Sequence, residues 1–119
     1  MRAAIVRLKR REDFLKVAGT RRKCAVAGLV LQAGRGPADA RSIRVGFTAT
    51  KKLGGAVVRN RAKRRLRAAA AAVLPVAGTR GYDYVLVARA GTLDRSWPAL
   101  LDDLRKALEA LTPKGREAG

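Results

Sequence analysis

The sequence predicts an α+β protein, a small two-layer sandwich in the order helix–strands–helix–strand–helix around a mixed sheet of about four strands. Three stretches carry that prediction. Ser42–Thr50 alternates, with Ile43, Val45 and Phe47 on one face and Arg44, Gly46 and Thr48 on the other, which is the period of a half-buried strand. Tyr82–Arg89 is an apolar, β-branched and aromatic run bounded by turn residues. Trp97, Leu100, Leu101, Leu104, Leu108 and Leu111 recur at i, i+3, i+4 spacing and make one apolar helical stripe.

The remaining elements follow in chain order. Leu8–Ala18 reads as a short helix, with Glu12 and Asp13 early, where the helix dipole favours acids, and Gly19 closing it. Its apolar set is Leu8, Phe14, Leu15 and Val17. Ala25–Gln32 reads as one strand running into the loop Gly34-Arg-Gly-Pro37. Lys51-Lys-Leu-Gly-Gly55 breaks the central strand, and a helix then runs from Ala56 to Val73 and stops at Pro75. Gly78–Gly81 is a turn, and Gly91–Ser96 is a loop with Asp94 or Ser96 as the cap of the last helix. One domain over 1–112 and a flexible polar tail over 113–119 account for the chain.

Charge narrows the function. Among 119 residues, 27 are Lys or Arg and 9 are Asp or Glu, for a net charge of +18. Such self-repulsion calls for a polyanionic partner. There is no histidine, which removes the usual general base, and the single Cys24 rules out an internal disulfide and a cysteine zinc site. Cys24 reads as a small apolar filler. No apolar run reaches membrane-spanning length. The acids are scattered. Asp102 and Asp103, the adjacent pair, point about 100° apart on a helix, a poor two-metal cradle, and both read as solvated.

The densest signal is Arg59-Asn-Arg-Ala-Lys-Arg-Arg-Leu-Arg67, six basic residues in nine with no acid. At about 100° per residue, Ala62, Leu66, Ala69 and Val73 cluster within about 60° and the rest of the circumference is cationic. A merely solvated face carries mixed signs. Five of the six cations are Arg, whose planar fork binds phosphate bidentately and stacks on bases. Asn60 interrupts the run and can both donate and accept, and it reads as a contact somewhat more than as an exposed polar residue or a local cap. Neither a helix-turn-helix nor a groove-filling dimer is visible, so RNA fits better than DNA. About six phosphate contacts would give a log–log salt slope near −4 to −5. Aromatics are few. Phe47 and Trp97 lie on apolar stripes and read as core, while Phe14 is open between core packing and base stacking.

Three segments in order, Leu8-Lys-Arg-Arg-Glu-Asp-Phe14-Leu-Lys-Val17, Arg44–Arg67 with its Lys51-Lys-Leu-Gly block and basic helix, and Tyr82–Arg89, closely resemble the protein components of bacterial ribonuclease P. The resemblance implies a 1:1 partnership with a large catalytic RNA that removes the 5′ leader of precursor tRNA in the cytoplasm. It implies no cofactor or metal held by the protein, with Mg²⁺ at the RNA active site, and neither a membrane nor a DNA partner. It assigns Lys51, Lys52, Arg59, Asn60, Arg61, Lys63, Arg64 and Arg67 to the catalytic RNA. It assigns Phe14, Val17, Arg44, Thr48 and Arg89 to a leader-binding cleft between the first helix and the sheet. Phe14 thereby shifts from core toward contact. The resemblance also implies a left-handed strand–helix–strand crossover around the basic helix, against the general right-handed rule. Ala18 and Gln32 stand where the family often has aromatics, so the cleft should rely more on charge than on stacking. The alternatives are a structural ribosomal RNA-binding protein, which need not contain the Lys51–Arg67 block, and a stand-alone nuclease, which the missing histidine disfavours.

Overall fold

The computed structural model describes residues 4–37 and 41–111. The expected tail over 113–119 lies outside the described residues. The elements are β1 (Ile5–Arg7), α1 (Arg11–Gly19), β2 (Lys23–Val26), β3 (Leu29–Arg35), β4 (Ile43–Thr48), a 3-10 turn (Lys51–Leu53), α2 (Ala56–Ala77), β5 (Tyr82–Ala88), α3 (Ala90–Asp94) and α4 (Trp97–Leu111). The sheet has five strands in the order β1-β4-β5-β3-β2. The pairs β1–β4 and β4–β5 are parallel, and β5–β3 and β3–β2 are antiparallel. The architecture is the expected mixed α+β one, with α2 and α4 on one face and the short α1 covering part of the other.

The main core lies between the sheet and α2/α4. Alternate strand residues Leu29, Leu31 and Ala33, then Ile43 and Val45, then Tyr82, Tyr84 and Leu86 meet Leu66, Val73 and Leu74 of α2 and Leu100, Leu104 and Leu108 of α4. Each fully buried leucine contributes roughly 1.5–3 kcal/mol. A second, smaller core of Leu8, Val17 and Val85, with Phe14 and Val87 packed against it, fills the α1 side. Cys24 is half-buried against the main core, the filler role expected of it.

The crossover hand follows from two hydrogen bonds. Ile43 N donates to Ala4 O, and Leu8 N donates to Val45 O. On β4, therefore, the residues whose side chains face α2 turn their backbone polar groups toward β1. An L-residue in a strand drawn upward with its side chain toward the viewer presents its N–H and C=O to the viewer's right. Seen from α2, β1 lies to the right of β4 and β5 to its left. The β4–α2–β5 connection is left-handed, which connections of this type almost never are.

The structure departs from the sequence expectations in several elements, α1 among them, which begins at Arg11 rather than Leu8. The strand expected over Ala25–Gln32 is a hairpin, β2 and β3, turning at Ala27-Gly28. A Cβ on Gly28 would meet Leu100 Cδ1 at 2.6 Å, so this glycine lets α4 lie on the turn. The strand β1 was not expected; it is three residues long and half exposed, too short for a period. Helix α2 continues through Pro75 to Ala77, because Pro75 forgoes only its own N–H and Gly78 N still reaches Leu74 O at 2.9 Å. Part of the loop after Arg89 is helical. There α3 is pinned by Thr92, whose hydroxyl donates to Gly28 O and accepts from Arg89 N. Finally, Trp97 is 40% exposed at the start of α4 rather than in the core.

Gly91 shows how tightly α3 sits. An added Cβ would fall 2.0 Å from Ala27 O, a backbone atom. Gly91→Ala is expected to destabilise the protein by about 1–3 kcal/mol in urea unfolding; an unchanged midpoint would mean that α3 is loosely held.

Candidate RNA interface

Helix α2 presents its charges unevenly. Ala62, Leu66, Ala69, Ala70, Val73 and Leu74 are buried. Arg59 and Lys63 lie within the arc of these residues, and both are half-buried. The Arg59 Nε is shielded from solvent with no hydrogen-bond partner among the described residues. Asn60, Arg61, Arg64 and Arg67 are exposed and occupy an arc of about 120° on the outward side. Lys51 and Lys52, exposed on the 3-10 turn before the helix, extend this surface.

Arg65 does something else. Its Nη1 donates to Thr92 O at 2.8 Å, Leu93 O at 3.2 Å and Arg95 O at 2.8 Å. These carbonyls end α3, and a cation there satisfies groups the helix leaves unpaired. The sequence suggests cations around nearly the whole helix; the structure takes Arg65 out of that set and tucks Arg59 partly under it.

No carboxylate neutralises α2 among the described residues. The ion pairs lie elsewhere. Arg10 meets Glu12 and Asp13, Arg44 meets Asp83 and Asp13, Arg95 meets Asp103, and Arg105 meets Asp102. Asp103 corrects an expectation. It is 4% exposed, and both its oxygens accept from Arg95, at 2.8 and 3.0 Å, so it is structural rather than solvated. Asp102 is exposed, as expected. No group of three or more potential metal-ligating side chains occurs among the described residues.

The opposite face of the sheet carries the other expected residues. Arg44, Gly46 and Thr48 of β4 share it with Val85 and Val87 of β5 and Gln32 of β3, and α1 lies across β3 and β5. Phe14 is half-buried with its ring on Gly46. A Cβ there would sit 2.4 Å from two ring carbons, so the missing side chain forms the seat for the ring. Val17 is 3% exposed, sealed in the small core and a support for the cleft rather than a lining group. The guanidinium of Arg44 is occupied. Its Nε and Nη2 donate to the buried Asp83 at 2.8 and 2.6 Å, and Asp13 lies 3.6 Å away. The bonds to Asp83 hold Arg44 above its ordinary pKa. Thr48 is half-buried beside the cleft. Arg89 is exposed and donates to Val26 O at 2.7 Å. Ala18 is exposed and Gln32 half-buried, so neither gives the cleft an aromatic wall.

The two sets of residues come together at one place. Thr50, Lys52, Leu53, Ala88, Arg89 and Ala90 line a shallow depression of about 230 Å³ at the carboxyl ends of β4 and β5. Open parallel sheets present ligand sites at that end. Lys52 from the helix side and Arg89 from the cleft side share it. Arg7 was missed in the sequence. Its guanidinium lies 5.1 Å from the centre of the Phe47 ring, a contact set by the β1–β4 register, for which three residues of edge strand give no signal.

An unneutralised basic helix face on one side of a sheet, with Phe14, Val85 and Val87 packed on the other beside α1, has the character of an RNA-binding protein. The model of the Ribonuclease P family matches residues 3–112. The ribonuclease P protein component of Paramagnetospirillum magneticum is 52% identical over 114 residues, covering 92% of this chain and 84% of that one. That of Ruegeria pomeroyi is 53% identical over 105 residues, covering 87% and 84%. The chain belongs to this family, the protein components of bacterial ribonuclease P. Among solved structures, the RNase P protein of Staphylococcus aureus is similar with a TM-score of 0.73 at 24% identity, covering 89% of this chain and 94% of that one. The RNase P protein of Thermotoga maritima gives 0.71 at 23% identity, covering 88% and 94%. At those identities the likeness speaks for the fold.

The division of labour on α2 is directly testable. The double variant Arg61→Ala/Arg64→Ala should flatten the log–log salt slope of RNA binding by about 1.5–2 units with little change in melting temperature. Arg65→Ala should do the reverse, lowering the melting temperature with the slope kept.

Proposed function

We propose that this chain, as the protein subunit of ribonuclease P, binds the catalytic RNA through the outward face of α2 and the 5′ leader of precursor tRNA along the cleft beside α1. The observation that carries the reading is the acid-free arc of Asn60, Arg61, Arg64 and Arg67, continued by Lys51 and Lys52, in a molecule whose described ion pairs all lie off that helix. Guanidinium groups without counter-charges lower the repulsion between two RNA backbones brought side by side. Arg59 and Lys63, half-buried at the margin, add to the field and orient the outer groups.

The leader runs past Phe14 and Thr48 toward Arg89. Val17 and Gly46 fix the Phe14 ring from below, and Arg44 shapes the cleft floor through Asp83. Phosphodiester cleavage belongs to the RNA partner with its Mg²⁺. The protein contributes position and charge, in a 1:1 complex in the cytoplasm. Among the described residues no helix is long and apolar enough to cross a membrane.

Reconstitution with a cognate catalytic RNA tests this reading. The protein should accelerate precursor tRNA processing at low Mg²⁺, where the RNA alone is slow; no stimulation at any salt concentration would refute it. Phe14→Ala should weaken binding of leader-bearing precursor by about fivefold or more while leaving mature tRNA unaffected. Equal losses would make Phe14 a packing residue only.

A further inference from the structure

A second concavity lies away from the cleft, between the edge strand β1 and the C-terminal half of α2. Ile5, Arg7, Val45, Phe47, Arg67, Ala70, Ala71 and Pro75 line a groove of about 250 Å³. Its walls are apolar, and its charged lining groups are the exposed Arg7 and Arg67. No acid lines it. The groove is smaller than the roughly 300–1,000 Å³ of sites that enclose whole drug-sized ligands. Three neighbouring features make it. The alanine run leaves α2 without bulk there, Pro75 removes a donor from its rim, and Phe47 supplies an aromatic ring whose companion is the Arg7 guanidinium at 5.1 Å.

We infer that this groove is a socket for a single unstacked RNA base, held against Phe47 and the alanine face, with the flanking phosphates on Arg7 and Arg67. The inference rests on the reading of α2 as the RNA-facing helix and adds a base-binding site to a surface otherwise made of charge. The lining matches the chemistry of a nucleotide: a flat apolar slot for the base and two guanidinium groups placed for anions. An arginine stacked on an aromatic ring is itself a platform on which bases stack. Arg67 joins the groove to the Arg61/Arg64 arc, so a strand lying along α2 could turn one base inward without leaving the cationic track.

The test uses the full chain and two probes: a short single-stranded RNA carrying one fluorescent purine analogue, and inorganic polyphosphate as a base-free polyanion. Ala71 is exposed, so Ala71→Phe fills the slot from the solvent side without changing charge. It should weaken oligonucleotide binding by about fivefold or more, abolish quenching of the analogue, and leave polyphosphate affinity unchanged. Phe47→Leu, which keeps apolar volume, should also reduce the quenching, and it serves as the readout if Ala71→Phe does not fold. Equal affinity of wild type and variant for the oligonucleotide, or parallel losses for both probes, would overturn the inference. So would competition by anionic phosphatidylglycerol vesicles that Ala71→Phe loses, which would make the groove a lipid site. A chain that stimulates precursor processing yet fails these tests would sink the socket and leave the function of α2 standing.

Discussion

Everything in this molecule depends on holding down a helix of like charges by one narrow side. Helix α2 has no acid to relieve its repulsion, and such pairs destabilise an isolated helix by a few tenths of a kcal/mol each. The sheet and α4 supply what the helix lacks. Ala62, Ala69 and Ala70 let the backbone come close, and Leu66, Val73 and Leu74 bury the bulk. Arg65 turns a liability into an anchor, binding three carbonyls around the end of α3. Packing energy thus keeps the remaining cations outward and unpaired.

The few acids are deployed consistently with that need. Asp83 and Asp103 are buried, and each binds one arginine bidentately away from α2. Removing the arginine of either pair would be costly, because it would leave a buried carboxylate without its partner. Both therefore fix geometry: Asp83 ties β5 to β4 beneath the cleft, and Asp103 ties α4 to the segment after α3. They leave the field of the basic arc intact.

The sequence was most legible where a pattern is long. The alternation through Ile43, Val45 and Phe47, the Tyr82–Ala88 run and the leucine stripe of α4 each matched their elements, and the buried side of α2 fell where Ala62, Leu66, Ala69 and Val73 placed it. Shorter elements escaped. Residues 5–7 and 90–94 owe their structure to partners distant in the chain, β4 for the first and Gly28 and Arg65 for the second. The Ala27-Gly28 turn hid inside a continuous apolar run. At the site, the cationic residues were readable individually, but their separation into outward, marginal and structural ones was not. Arg65 is set apart by α3, an element the sequence does not announce, and Arg59 and Lys63 by lying on the buried side of α2. Likewise, Asp103 looked the same as Asp102 until the fold brought Arg95 to it, and Val17 differed from Phe14 only once α1 was docked.

One connector in the fold has a geometric outcome. The strand β4, which carries Arg44, Gly46 and Thr48 on the α1 side, leads directly to the start of α2, with only Ala49–Gly55 between them. The two surfaces proposed to meet RNA are thus opposite sides of one plate, separated by the sheet and a helix about 10 Å across and joined by a connector of a few residues. Such a plate works as a gauge block. With the sheet and α2 packed through one shared core, the spacing between strands bound on its two sides, as proposed, would be set by the fold, and side-chain length would be the means of resetting it.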